Sequence, residues 1–144
     1  MAHAPDVAAS DVRLRAWLDD GALVGLTYTV SRPTMLWLFY FAVNDAVRSR
    51  GYGSRILSHL RQEAEGRTIV LEIEPLDDGA PNIEQRRRRR SFYERTGFAP
   101  TGYRIREGKQ TYSVMADGDF DPIAFRRLVH WFTLGLRPTS LMRD

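Results

Sequence analysis

Two glycines bracket Tyr52 in the run Asn44-Asp45-Ala46-Val47-Arg48-Ser49-Arg50-Gly51-Tyr52-Gly53-Ser54, where an apolar stretch gives way to helical spacing. Glycine lets the backbone come close to a ligand and reach dihedrals closed to other residues. The N–H groups of a starting helix, aided by its dipole, are ready donors for phosphate oxygens. Arg48, Ser49 and Arg50 add donors at the same rim. Alone, a Gly-x-Gly reads first as a strand-to-helix turn. It is neither a nucleotide P-loop nor a dinucleotide fingerprint, since no Gly-Lys-Ser/Thr follows and the third spaced glycine is absent.

A second set of reactive groups lies downstream. Glu72 and Glu74 stand two apart in Thr68–Glu74, so as strand residues they share one face. Two carboxylates there could take up a proton, directly or through water, or hold a cationic acceptor. They could equally be salt-bridged to the arginine-rich segment that follows. Arg86 to Arg90 cannot all face one way on a helix; Arg86, Arg89 or Arg90, and Tyr93 share a side. The run reads mainly as a solvated basic face, paired with Glu84 or Glu94. There is no cysteine, and His3, His59 and His130 have no ligand-like spacing, so no metal site is expected.

The elements that must position these groups follow from periodicity. Val12, Leu14, Ala16 and Leu18 alternate with Arg13, Arg15 and Trp17, which predicts a half-buried strand with the aliphatic residues inward. Trp17, alone apolar on the outer side, is expected to cover a loop. Asp19-Asp20-Gly21 supplies a hairpin turn into a strand over Ala22 to Val30, broken at Arg32-Pro33. Met35 to Val43 is continuously apolar, as expected of a strand buried on both faces. Ile56, Leu57, Leu60 and Ala64 predict a helix closed by Gly66. A strand over Thr68 to Glu74, a helix over Asn82 to Thr96, and strands over Tyr103 to Arg106 and Gln110 to Met115 come next. Pro122 opens a last helix over 122–136.

The 144 residues suit one domain over 11–144, with 1–10 a disordered or loosely attached tail. The expected fold class is α/β, a central mixed sheet flanked by helices with a right-handed strand–helix–strand crossover. Net charge is +3 and Lys109 is the only lysine, so the basic residues are nearly all arginine, which suits an anionic ligand or reflects coding bias. The longest apolar run, Met35 to Val43, is short of the roughly 20 residues of a membrane helix. With no signal-peptide order at the start, the expectation is a cytoplasmic protein with no membrane partner.

Arg48-Ser49-Arg50-Gly51-Tyr52-Gly53 resembles the Arg/Gln-x-x-Gly-x-Gly/Ala pyrophosphate loop of the GNAT family of N-acetyltransferases. Phe92-Tyr93-Glu94-Arg95-Thr96-Gly97-Phe98 is similar to that family's Phe-Tyr-x-x-x-Gly-Phe signature. The two occur in the family's order, the resemblance runs from about Val12 to Met115, and Asn82 to Phe98 looks like a bacterial group within the family. The resemblance implies direct transfer of acetyl from acetyl-CoA to an amine. Val47, Arg48, Arg50, Gly51, Tyr52, Gly53 and Ser54 would take the pyrophosphate, and Phe41, Ala42 and Val43 would pair with pantetheine through their backbone. Tyr93 occupies the family's general-acid position. The family's central-strand glutamate is missing here, which leaves Glu72 and Glu74 for the base. Arg86 stands where the family often has a cofactor-contacting Asn, so that contact passes to Asn82 or to Arg86 itself, with Arg89 beside it.

Full-length members usually open with a strand and two helices that wall the acceptor pocket, and this chain apparently lacks them. An open pocket, closure by another subunit or a truncated start would each account for that. The C-terminal helix, with Phe125, Trp131 and Phe132, suggests a homodimer contact. The acceptor is an amine on a small molecule or protein. Rival readings are a non-catalytic acyl-CoA-binding module and a toxin-like acetyltransferase acting on aminoacyl-tRNA, for which nucleic-acid binding would rest on Arg86 to Arg90.

Overall fold

The computed structural model describes residues 11–44, 46, 50–133 and 139–144. They form seven strands and three helices, β1 (Asp11–Asp19), β2 (Ala22–Ser31), β3 (Met35–Val43), α1 (Tyr52–Ala64), β4 (Thr68–Ile73), α2 (Ile83–Arg95), β5 (Ala99–Glu107), β6 (Gln110–Ala116), α3 (Pro122–Phe132) and β7 (Thr139–Arg143). Two compact units, Met1–Val70 and Leu71–Asp144, divide the chain within β4.

In the first unit β1, β2 and β3 form an antiparallel meander. Asp20 (φ 51°) and Gly21 (φ 82°) both take positive φ between the paired Asp19 and Ala22, the two-residue turn that an Asp-Gly step favours. Helix α1 packs on β2 and β3 and buries Gly53, Ile56, Leu57, Leu60 and Ala64, one stripe at helical spacing. Its end is closed by Glu65 (φ 50°) and Gly66 (φ 86°) in the left-handed region.

Two expectations about this unit are corrected. On β1 the inward and outward faces are exchanged: Val12, Leu14 and Leu18 are 42%, 68% and 63% exposed. Arg15 instead reaches Glu63 of α1, and the Trp17 ring lies 5.7 Å from His59 of the same helix rather than over a loop. The cause lies on β2. Gly25 and Thr27, opposite Trp17 and Arg15, are small and buried, so α1 docks on that side and the long β1 side chains fold over its flank. Strand β3 is buried on both faces only from Met35 to Leu38. The pairing steps from Tyr28↔Tyr40 to Thr29↔Leu38, leaving Phe39 as a bulge, and Phe39 and Tyr40 emerge at 42% and 51% exposure.

In the second unit, β5 lies between β6 and β7, antiparallel to both. Gly108 (φ 61°) opens the two-residue turn between Glu107 and Gln110. Helix α2 buries only Tyr93, whereas α3 buries Phe125, Leu128 and Val129. Asp121 caps α3: its Oδ1 accepts from the N–H groups of Ile123 (3.1 Å) and Ala124 (3.0 Å), ahead of Pro122 at the first helical position. The helix ends at Phe132, short of the expected 136, and 134–138 lie outside the described residues. Strand β7 was not expected from the sequence; it pairs with β5 from Tyr103↔Arg143 to Glu107↔Thr139.

Candidate functional site

In the first unit the end of β3 runs into the glycine loop. Phe41 is buried, and Ala42 and Val43 are half-buried opposite Leu26 and Gly25. Asn44 fixes the exit from the strand. Its N–H donates to the Val24 carbonyl (2.9 Å), its side-chain amide to the Leu23 carbonyl (2.7 Å), and its Oδ1 accepts from the Ala46 N–H (3.0 Å). Val47 and Arg48 lie outside the described residues. Arg50 and Gly51 are exposed, and Gly51 is the N-cap of α1 with φ 74°, a left-handed conformation that glycine adopts without strain. Gly51 itself has no side chain to cap the helix, and among the described residues no side chain does so. The N–H groups of Tyr52, Gly53 and Ser54 therefore have no intrahelical acceptor, and the dipole favours negative charge beside them. Gly53 is buried and Ser54 exposed. The Tyr52 hydroxyl donates to Asp19 Oδ2 at 2.6 Å, a partner that no spacing in the sequence suggests.

In the second unit Glu72 is half-buried near the end of β4, and Glu74 lies beyond the strand. Glu74 pairs with the Arg86 guanidinium (2.8 Å) and accepts from Asn82 Nδ2 (3.3 Å). Arg86 also donates to Asn82 Oδ1 (2.8 Å) and to the Pro75 carbonyl (2.9 Å). Glu74, Asn82 and Arg86 thus form a network that ties the segment after β4 to the start of α2. Further along α2, Arg87 bonds Asp78 (2.6 Å) and Glu84 (2.5 Å), and Arg90 pairs with Glu94 at 3.7 Å.

Tyr93 is 3% exposed, with its ring set edge-on to those of Phe92 (5.3 Å) and Phe98 (5.6 Å). Burial pushes its phenol pKa above the usual value, and the charge and hydrogen bond of Arg89 pull it partly back. Arg89 Nη2 donates to the phenol oxygen at 3.5 Å, which leaves the phenol's own proton available to another acceptor.

A polar cavity of about 260 Å³ also lies in the first unit, lined by Arg13, Glu63, Glu65 and Arg67 among others, and none of the expected site residues lines it. Arg67 there donates to Ser31 Oγ (2.6 Å) and to the carbonyls of Arg32 (2.6 Å), Ala64 (2.8 Å) and Glu63 (3.1 Å), a role in closing α1. Among the described residues no group of three or more His, Cys, Asp or Glu side chains could hold a metal ion, and no helix is long and apolar enough to cross a membrane.

The family description "acetyltransferase (GNAT) domain" matches residues 13–100, and the chain belongs to that family. Its α/β architecture is the family's mixed-sheet fold. Among solved structures it is similar to a GNAT-family acetyltransferase of Bacteroides thetaiotaomicron, at 28% identity and TM-score 0.66 over 90% of this chain and 76% of that one. It shares its fold with an aminoglycoside 6'-N-acetyltransferase complexed with coenzyme A (22% identity, TM-score 0.56, 74% of this chain and 73% of that one). The ribosomal-protein-S18-alanine N-acetyltransferase of Escherichia coli is similar at 23% identity and TM-score 0.55, over 73% of this chain and 67% of that one. Among curated proteins none matches this chain.

Proposed function

We propose that this acetyltransferase moves an acetyl group from acetyl-CoA to the amine of a small molecule or protein by direct transfer. The observation that carries this reading is the start of α1 at a left-handed Gly51, uncapped by any described side chain, a donor set that suits a diphosphate. Acetyl-CoA supplies the acyl group as a thioester. The N–H groups of Tyr52, Gly53 and Ser54, with Val47, Arg48 and Arg50, hold its diphosphate. Phe41, Ala42 and Val43 offer backbone groups to pantetheine, and one of their N–H groups polarises the thioester carbonyl.

The amine nitrogen forms the new bond to the carbonyl carbon as the carbon–sulfur bond breaks. Tyr93 gives its phenol proton to the leaving sulfur, and its raised pKa keeps it protonated beforehand. Glu72 takes up the proton that the amine loses. Glu74, neutralised by Arg86, is assigned to holding the α2 start, together with Asn82 and Arg86. Arg89 stays beside Tyr93, where its charge offsets the cost of a phenolate. With Arg86, Arg87 and Arg90 paired to carboxylates, the arginine run is assigned as a solvated face rather than a nucleic-acid surface. The protein is proposed to work in the cytoplasm.

Release of free CoA thiol tests this with a panel of amines that includes aminoglycosides and alanine peptides, chosen because two solved neighbours are named for an aminoglycoside and for the alanine of ribosomal protein S18. Turnover with one of them, falling about a hundredfold or more in Tyr93→Phe at unchanged acetyl-CoA affinity, is expected. Full activity in that variant would remove Tyr93 from the acid role. Acetyl-CoA binding without turnover on any amine would favour an acyl-CoA-binding module.

A further inference from the structure

The tip of the β1–β2 hairpin lies against both ends of the glycine loop. On one side, Asp19, the last residue of β1, accepts a 2.6 Å hydrogen bond from the Tyr52 hydroxyl at the first position of α1. That length is typical of an O–H bonded to a carboxylate. The bond also pushes the Tyr52 phenol pKa up, so the phenol stays the donor through the neutral range. On the other side, Asn44 at the end of β3 is bonded to the Leu23 and Val24 carbonyls, three and four residues past the turn residue Asp20.

The hairpin tip is closed by a tight turn and strand pairing. Its two-residue turn has both φ angles positive, and strand pairing resumes at once on each side, at Asp19↔Ala22 and Leu18↔Leu23. The Tyr52 ring is held from its other side by Arg55, one helical turn on, whose guanidinium carbon lies 5.2 Å from the ring centre. The side chain between the two loop glycines is therefore held by the β1–β2 hairpin on one side and by α1 on the other.

We infer that Asp19 and Tyr52 form a latch by which the β1–β2 hairpin sets the position of the glycine-flanked first turn of α1 for the CoA diphosphate. Both are positioning residues. The inference rests on the function proposed above, since the diphosphate is what the loop would hold. With Asn44 pinning the start of the loop and Tyr52 its end, the donors of the first helical turn are held in place before the ligand arrives. Pre-organisation of this kind tightens binding by removing the cost of ordering the loop. It would act on cofactor affinity and leave the proton transfers at Tyr93 untouched.

The test combines amide hydrogen exchange of the ligand-free protein with calorimetric titration of CoA, on wild type, Tyr52→Phe, Asp19→Ala and Asp19→Asn. In Tyr52→Phe and Asp19→Ala, exchange over residues 50–55 is expected to speed up while Leu57 to Ala64 stays protected. The Kd for CoA should rise about tenfold in each, and no further in the double variant, because the two residues make one interaction. Asp19→Asn keeps an acceptor oxygen and should fall between. Where turnover is measured, KM for acetyl-CoA rises and kcat holds. Unchanged exchange over residues 50–55 in both variants overturns the latch. So does a Kd that rises additively in the double variant. A wild type that binds no CoA overturns the role in cofactor binding and the proposed function with it, while the exchange data still decide whether the latch exists.

Discussion

Replacing Gly25 by alanine sets two effects of opposite sign against each other, and the packing of α1 on β2 decides between them. Gly25 lies in β2, buried and paired with Trp17 and Val43, and its backbone is not in the left-handed region. In open surroundings, alanine there would stabilise by ~0.4–1 kcal/mol through the lost freedom of the unfolded chain. An added Cβ, however, would stand 2.8 Å from Ile56 Cδ1 and 2.9 Å from the Ala42 carbonyl oxygen. Carbon contacts are optimal near ~3.5–4.0 Å, so both intrude deeply. Ile56 is 3% exposed and has little room to turn, and the Ala42 oxygen belongs to backbone. Overpacking of this kind costs ~1–3 kcal/mol, which outweighs the entropy gain and leaves a net loss of ~1–2 kcal/mol. Urea unfolding should show a lower midpoint at an unchanged slope. Ile56→Val, which costs ~0.5–1.5 kcal/mol alone, removes one of the two obstacles, so the double variant should lose less than the sum. A midpoint for Gly25→Ala equal to or above wild type would show that Ile56 and the β3 backbone give way without cost.

Two further outcomes concern stability alone. Asp121→Ala removes the cap of α3 and should lower stability by ~1 kcal/mol, read as a lower thermal midpoint, with Asp121→Asn close to wild type. Arg15 grips both carboxylate oxygens of Glu63 at 2.7 Å, and that bond holds the Glu63 pKa below its ordinary value of 4.5 against the opposing effect of burial. A depressed folded pKa means stability that is present above the unfolded value and lost as pH falls through the folded one. Stability measured by urea titration should therefore drop below about pH 4.5 more steeply in wild type than in Glu63→Gln. With 41% of the Glu63 side chain exposed, solvent screening keeps the difference under ~1 kcal/mol.

Elements with strong local signals were legible in the sequence. The stripe of Ile56, Leu57, Leu60 and Ala64, the Asp20-Gly21 turn and the Pro122 helix start each follow from side-chain spacing or from one residue's backbone preference. The faces of β1 were not legible, because alternation fixes a period and leaves the choice of side to whatever docks there. That choice was made by Gly25 and Thr27, which lie on a different strand. Strand β7 escaped because Thr139–Arg143 carries little apolar pattern and owes its form to backbone pairing with β5. At the site, the loop glycines were visible as sequence, and so were two open roles for Glu74. Its bond to Arg86 and the grip of Asp19 on Tyr52 span turns of chain that no spacing rule connects.

The glycine loop at the start of α1 is proposed to hold acetyl-CoA. Calorimetric titration of acetyl-CoA into wild type and Gly53→Glu, with matching circular dichroism spectra, tests it most directly. Saturable one-to-one binding to wild type is expected, and none to the variant, whose carboxylate would repel and obstruct the diphosphate. Equal binding to both proteins, or none to the folded wild type, would contradict that proposal.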